Sequence, residues 1–285
     1  MSLRRKRIIG PSLSYSVVQP AIAVEDAQTT AWVAAVATAG GTVSAPRRAI
    51  VDALIVGLRN DGLLAVLDRL WLLAAENIQQ ATVDVVGLQS WTGVSAPTFT
   101  ADTGYTADGT GYLNTNFTPS TAGGHYSSSS CSFGVYHINN RTTGQTASSI
   151  GTIQNSELRY STFEPKETSP LCVYEINGAT FGTSAAITTI RHSFVCSRTS
   201  STDTALYLDD NTTPYISTTG SNTFGLSDFP FFIMSSNLEG ASQHPSVADV
   251  FGAAFIGGGM NATQSTNLSK RINTYIGAIG LTPIF

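Results

Sequence analysis

Between Glu25 and Gly87 the apolar residues recur at helical spacing. Trp32, Val33, Val36 and Ala37 make one face before Gly40-Gly41, which predicts a first helix. Ser44 can cap a second helix, with Pro46 near its first position and Ile50, Leu54, Ile55 and Leu58 along its face. Beyond Asp61, the residues Leu64, Leu67, Leu70, Trp71 and Ala74 repeat at the same spacing and predict a third. A short fourth segment around Val83 and Val86 would complete a compact bundle.

After Gly87 that period disappears. Turn clusters such as Asp108-Gly109, Asn139-Asn140, Asn177-Gly178 and Asp210-Asn211 separate short strand-like runs. The clearest runs are Ser132–Ile138, Leu171–Ile176, His192–Ser197, Ala205–Leu208, Phe231–Ser235 and Val250–Ile256. Many short strands without intervening helices predict a mainly β, antiparallel sandwich or jelly roll. A helix returns at the end, where Asn261 caps, Gln264 closes a capping box, and Leu268, Ile272, Tyr275, Ile276 and Ile279 form one stripe before Gly280. At the other end, Pro11 and Pro20 flank Ser14-Tyr15-Ser16-Val17-Val18, so the start of the chain reads as an extended arm. The expected organisation is an arm over 1–24, a helical unit over 25–95 and a sandwich with its closing helix over 96–285.

A length of 285 residues suits two modules. Charged residues make up 12% of the chain, about half the usual share, while 42% is hydrophobic, which fits polar-turned β-structure and not disorder. The net charge of −4 gives no reason to expect nucleic-acid binding. Four cations, Arg4, Arg5, Lys6 and Arg7, stand together and suit an acidic partner surface better than packaged DNA. They superficially imitate the start of a secretory leader, but Gly10, Pro11, Ser12, Ser14 and Ser16 break the apolar core such a leader needs; no run approaches the length of a transmembrane helix, so a soluble chain is expected. Cys131, Cys172 and Cys196 lack any paired spacing and read as reduced core residues, with a Cys131–Cys172 or Cys172–Cys196 disulfide as the alternative.

Trp32-Val33-Ala34-Ala35-Val36, Gly40-Gly41-Thr42-Val43-Ser44, Leu70 to Asn77, Gly104-Tyr105 and Tyr112 to Ser120 together carry a family resemblance. So do Phe255-Ile256-Gly257, Asn261-Ala262-Thr263-Gln264 and Ile272 to Ile276. The chain resembles phage and prophage structural proteins that join a helical segment to a concanavalin A-like, laminin-G-like jelly roll, over residues 25 to 281. The resemblance implies a virion protein assembled in a bacterial cytoplasm, with other virion proteins as partners, host glycan as a candidate ligand, and homo-oligomers such as trimers. It leaves head, collar and tail positions open. Docking would fall to the arm, through Arg4, Arg5, Lys6 and Arg7 and the apolar Ile8, Ile9, Leu13, Tyr15, Val17 and Val18.

Chemistry is sparse in the sequence. Glycoside hydrolysis needs two closely placed carboxylates; Glu157, Glu164, Glu167 and Glu175 are interrupted by Pro165 and read as a solvated loop. No Gly-x-Ser-x-Gly elbow or triad context surrounds His125, His137, His192 or His244. Asp209-Asp210-Asn211 offers oxygen ligands for calcium but reads better as a hairpin turn, so neither a metal nor a cofactor is expected. Gly257-Gly258-Gly259 lacks a P-loop lysine and reads as a strand-to-helix connection. For glycan binding, Arg159, Tyr160, Asp209, Asp210 and Tyr215 supply aromatic and hydrogen-bonding groups. The expectation is therefore a non-enzymatic appendage or decoration protein, against a carbohydrate-active enzyme of the same sandwich class or a structural subunit without a ligand.

Overall fold

The structure, a computed structural model, describes residues 24–141, 144–166, 171–178, 182–220 and 223–285. The ten arm residues expected to dock, from Arg4 to Val18, lie outside the described residues, as does Glu167.

Two helices open the described chain, α1 (Ala27–Thr38) and α2 (Ala45–Asn60). Ser44 caps α2 as expected, its hydroxyl accepting from the Arg47 N–H, with Pro46 in the first turn. Next come β1 (Leu67–Trp71), α3 (Ile78–Thr82), β2 (Thr92–Val94), β3 (Thr98–Thr100), β4 (Gly104–Asp108), β5 (Tyr112–Asn114), β6 (Cys131–His137), β7 (Ile150–Gln154) and β8 (Arg159–Glu164). Then follow β9 (Leu171–Gly178), β10 (Gly182–Ala186), β11 (Ser193–Arg198), β12 (Thr204–Leu208), β13 (Ile216–Thr218), β14 (Phe232–Ile233), β15 (Ser236–Leu238), β16 (Ala241–Gln243), β17 (Val247–Gly257) and α4 (Ala262–Ala278). The Asn261–Gln264 capping box starts α4 as its sequence predicts.

The strands form a two-sheet sandwich. One sheet runs β13-β12-β11-β6-β17-β4-β3, with β1 also on β17; the other runs β10-β9-β8-β7-β14-β5-β2 and carries the β15–β16 hairpin. Pairings are antiparallel except that β15 runs parallel to β7. Strand alternation then fixes three layers. Phe133, Val135, Phe194, Cys196, Ala254 and Ile256 of the first sheet face Ile150, Phe163, Cys172, Tyr174, Ile176 and Ile233 of the second in one core. The intervening Tyr136, Val195, Ala253 and Phe255 turn outward and pack with Trp32, Leu54, Ile55, Leu58, Leu268 and Ile272 of the helices. All three cysteines are buried, and none of them is in a disulfide.

Two expected helical segments are corrected. Residues 63–65 form one tight 3-10 turn, and Leu67, Leu70 and Trp71 then belong to β1, paired with β17 (Leu70↔Phe255, Trp71↔Ala254). From position 70 the chain alternates strictly: Leu70, Leu72 and Ala74 join the helix-side cluster, while Trp71, Leu73 and Ala75 join the sandwich core. A segment buried on both faces, as 70–75 is, reads as a continuous apolar run, so its residues also satisfy a helical template. The fourth segment ends one residue before Val83, which bridges to Ser90. The helices are thus not closed on themselves; their apolar faces and the first sheet share one cluster. The strand expected over Phe231–Ser235 is only Phe232–Ile233, because Met234 takes a left-handed φ of 73° and turns the chain.

Candidate functional site

Helices cover the outer side of the first sheet, so the outer side of the second is where unassigned chemistry gathers. Its cross-strand row reads Asn114↔Phe232↔Gly151↔Thr162↔Glu175. Tyr160, Thr162 and Glu164 lie on this side of β8, since Phe163 between them enters the core.

At one end of β8 lies the first group of the predicted glycan residues. The β7–β8 hairpin turns through Asn155-Ser156-Glu157, and Leu158 closes it in the left-handed region at φ 55°. This places Arg159 against the 224–229 loop: its guanidinium donates to Leu226 O (3.1 Å) and to Asp228 Oδ2 (3.1 Å), and lies 3.6 Å from Glu157 Oε2. Gln154 completes the frame, accepting from the Asp228 N–H (3.0 Å) and donating to its carboxylate (3.3 Å). Hydrogen bonds from the Ser120 hydroxyl and Gln154, together with Arg159, hold the Asp228 carboxyl below its ordinary range. Leu158 and Phe224 are both left exposed beside this polar frame, at 45% and 40%. Tyr160, next along β8, is buried at 8%.

The other three predicted residues sit on the first sheet. Asp209 accepts from the Ser193 N–H (3.0 Å) and pairs with His192 Nδ1 (2.7 Å). Asp210 faces Lys270 of α4 at 3.9 Å, and Tyr215, 37% exposed, donates its N–H to Leu206 O. Asn211 caps the turn by donating to Leu208 O, and its own carbonyl accepts from Thr266 of α4. The segment is the β12–β13 connection docked on a helix. Arg159 and Tyr160 are therefore on one sheet and Asp209, Asp210 and Tyr215 on the other, not in a single cluster. Among the described residues, no three or more His, Cys, Asp or Glu side chains are grouped to hold a metal ion.

The acidic residues expected in a solvated loop require a correction. Glu164 and Glu175 are on adjacent strands, diagonal to each other on the outer side of the second sheet, and only 3% and 7% exposed. Their direction was hidden because the β8–β9 register, not sequence spacing, aligns them. Glu164 pairs with His244 Nδ1 (2.7 Å) and accepts from Ser148 Oγ (3.0 Å). Ser236 Oγ donates to Ser148 Oγ (2.7 Å) and bonds Thr162 Oγ1 (2.5 Å), filling the space left above Gly151. In this network the Ser148 hydroxyl donates to the Glu164 carboxylate and accepts from Ser236.

No protein-family model and no curated protein matches the sequence. Among solved structures, domain 4 of AbnA, a GH43 extracellular arabinanase from Geobacillus stearothermophilus in complex with arabinotriose, is 11% identical over 70% of this chain and 99% of that one, with a TM-score of 0.45. Trypanosoma rangeli sialidase is 9% identical over 78% of this chain, TM-score 0.47, and the match spans 39% of the sialidase. Domains LG4-5 of the mouse laminin alpha1 chain are 13% identical over 55% of this chain and 42% of that one, TM-score 0.33. None of these likenesses bears on activity, and the sandwich assignment rests on the strand order given above.

Proposed function

We propose that this chain is a non-catalytic structural subunit of a bacteriophage-type particle that docks through its N-terminal region and presents the second sheet to a glycan. One observation carries the glycan reading: exposed Phe224 stands on the 224–229 loop whose Gly225 and Leu226 pack on Arg159, and Arg159 is held by the Asp228 and Glu157 carboxylates. An apolar ring flanked by fixed donors and acceptors is what a sugar, with its apolar ring face and its hydroxyls, requires. The helices occupy the outer side of the first sheet, and exposed Leu158 and Phe224 mark the Arg159 end of the second sheet as the part open to solvent. The particle role rests on the family resemblance of the sequence.

The rival, a carbohydrate-active enzyme, draws on Glu164 and Glu175. A glycosidase needs one carboxylic acid and one carboxylate presented to the bond between them. Glu164 is 3% exposed and engaged by His244 and Ser148, which favours a structural network.

The test is calorimetric titration with purified bacterial surface polysaccharides, alongside a reducing-end assay. Binding is expected without release of reducing ends. Phe224→Ala and Arg159→Ala should each weaken binding by about 30-fold, the scale of an aromatic or arginine anchor. Unchanged affinity in both variants, or release of reducing ends that Glu164→Gln abolishes, overturns the proposal.

A further inference from the structure

A groove of about 340 Å³ runs between α2 and α4. Ala49, Ile50, Ala53 and Leu54 form one wall, and Thr274 and Ala278 the other. The polar groups around it are already engaged. Arg271 of the lining is paired with Asp61 (2.8 Å), and the Tyr275 hydroxyl donates to Ala74 O (2.7 Å). Asp52 of α2 is turned to the α1 side, where it accepts from the Asp26 N–H (2.8 Å) and the Thr29 hydroxyl (2.8 Å). Ala49, Ala53 and Val56, spaced four and three positions apart, are all exposed, so an apolar solvent face of α2 continues the groove.

The described chain begins against this same helix. Val24 is 92% exposed, Glu25 pairs with Arg48, and Asp26 pairs with Arg59 (2.7 Å) as well as bonding Asp52. Arg48 and Asp52 each adjoin a groove residue, Ala49 and Ala53. Residues 17–23, which precede Val24 and lie outside the described residues, include Val17, Val18, Ala21, Ile22 and Ala23. No Asp, Glu, Lys, Arg or His occurs anywhere over 8–24. A helix with its side chains is about 10–12 Å across, whereas seven extended residues reach about 23 Å at about 3.3 Å each. The segment is therefore long enough to cross the solvent face of α2 and enter the groove, and it carries no charge whose desolvation would oppose this.

We infer that the groove between α2 and α4 is the seat of residues 17–23 of the same chain. This contact fastens the base of the arm to the helical layer and leaves Arg4 to Arg7 beyond it. The inference is independent of the particle and glycan readings.

Disulfide trapping in the full chain tests it. Val18→Cys is combined either with Ala53→Cys in the groove or with Ala27→Cys, which is exposed on α1 and closer to the arm in sequence. An arm that samples the surface at random would reach position 27 at least as often as position 53. Under copper-phenanthroline oxidation, followed by intact mass and non-reducing electrophoresis, the 18–53 pair is expected to close within one chain about tenfold faster than the 18–27 pair. In a second measurement, Ala53→Glu places a charge in the groove from an exposed position. It should speed elastase cleavage within 17–23 about tenfold while the melting curve stays cooperative, since cleavage tracks the population of the undocked segment. The inference is overturned if the two cysteine pairs close at the same rate, or if the 18–53 product is a dimer, which would seat a second copy's arm in the groove. It is also overturned if Ala53→Glu folds and is cleaved at the wild-type rate.

Discussion

Lowering the pH from 7 to 4.5 should destabilise this protein through one residue between its sheets. His137 is 0% exposed, on β6, with Nε2 2.9 Å from Ser149 Oγ and its ring against Phe251 and Phe194. Burial, reinforced by Arg141 and His192, pushes its pKa from 6.5 down to about 3. The imidazole therefore stays neutral in the folded state while the unfolded chain takes up a proton below pH 6.5. The unfolded state then binds more protons, so stability falls as pH drops through 6.5 and keeps falling until about 3. At pH 4.5, two units below the unfolded value, the loss amounts to about 2.7 kcal/mol at about 1.4 kcal/mol per unit. Asp84 acts in the opposite sense: burial lifts its carboxyl from 3.8 to about 6, so it contributes stability as pH falls from 6 towards 3.8. A single melting profile would mix the two, and the comparison needed is with His137→Gln, which keeps a hydrogen-bonding group but cannot titrate. Urea denaturation of both proteins at pH 7.0, 6.0, 5.0 and 4.5 gives the difference, in which Asp84 cancels. Wild type should lose about 2.5 kcal/mol relative to the variant between the two extremes. A pH-independent difference would refute the reasoning, because the imidazole would then have to be charged or solvated inside the sandwich.

Arg47, 5% exposed, joins α2 to α4, to the segment after β1 and to the β3–β4 turn by donating to Tyr275 Oη (2.8 Å) and Ala74 O (3.3 Å) and pairing with Asp102. Arg47→Ala should cost about 2–4 kcal/mol in urea, since the Tyr275 oxygen loses its buried donor and the Ala74 carbonyl keeps only the bond from Tyr275; a loss below about 1 kcal/mol would show that water replaces it. Asn261→Ala removes the acceptor of the α4 capping box and should cost about 1 kcal/mol, read as a lower urea midpoint with unchanged slope.

Much of the sandwich was legible in the chain because strand period, turn residues and caps are local. Cys131–His137, Ser193–Arg198 and Val247–Gly257 coincide with the apolar runs that predicted them, and Ser44 and Asn261 cap the helices they were expected to cap. Local signals failed where burial came from two sides. Leu67 to Ala75 satisfied a helical template only because β1 is covered by helices on one face and by the sandwich on the other.

The candidate sites divide in the same way. Residue type alone pointed to Arg159 as a hydrogen-bonding group, but its partners Asp228 and Leu226 come from a loop about 70 positions later. Sequence likewise grouped Arg159 and Tyr160 with Asp209, Asp210 and Tyr215, which the strand order assigns to separate sheets. Glu164 and Glu175 share a face through register, and the groove between α2 and α4 joins helices from opposite ends of the chain. Periodicity, capping and turn chemistry act over a few residues and are written in the order of the chain. Cross-strand register, the side from which a layer is covered and the satisfaction of a buried hydroxyl depend on segments distant in sequence, and only the folded arrangement decides them.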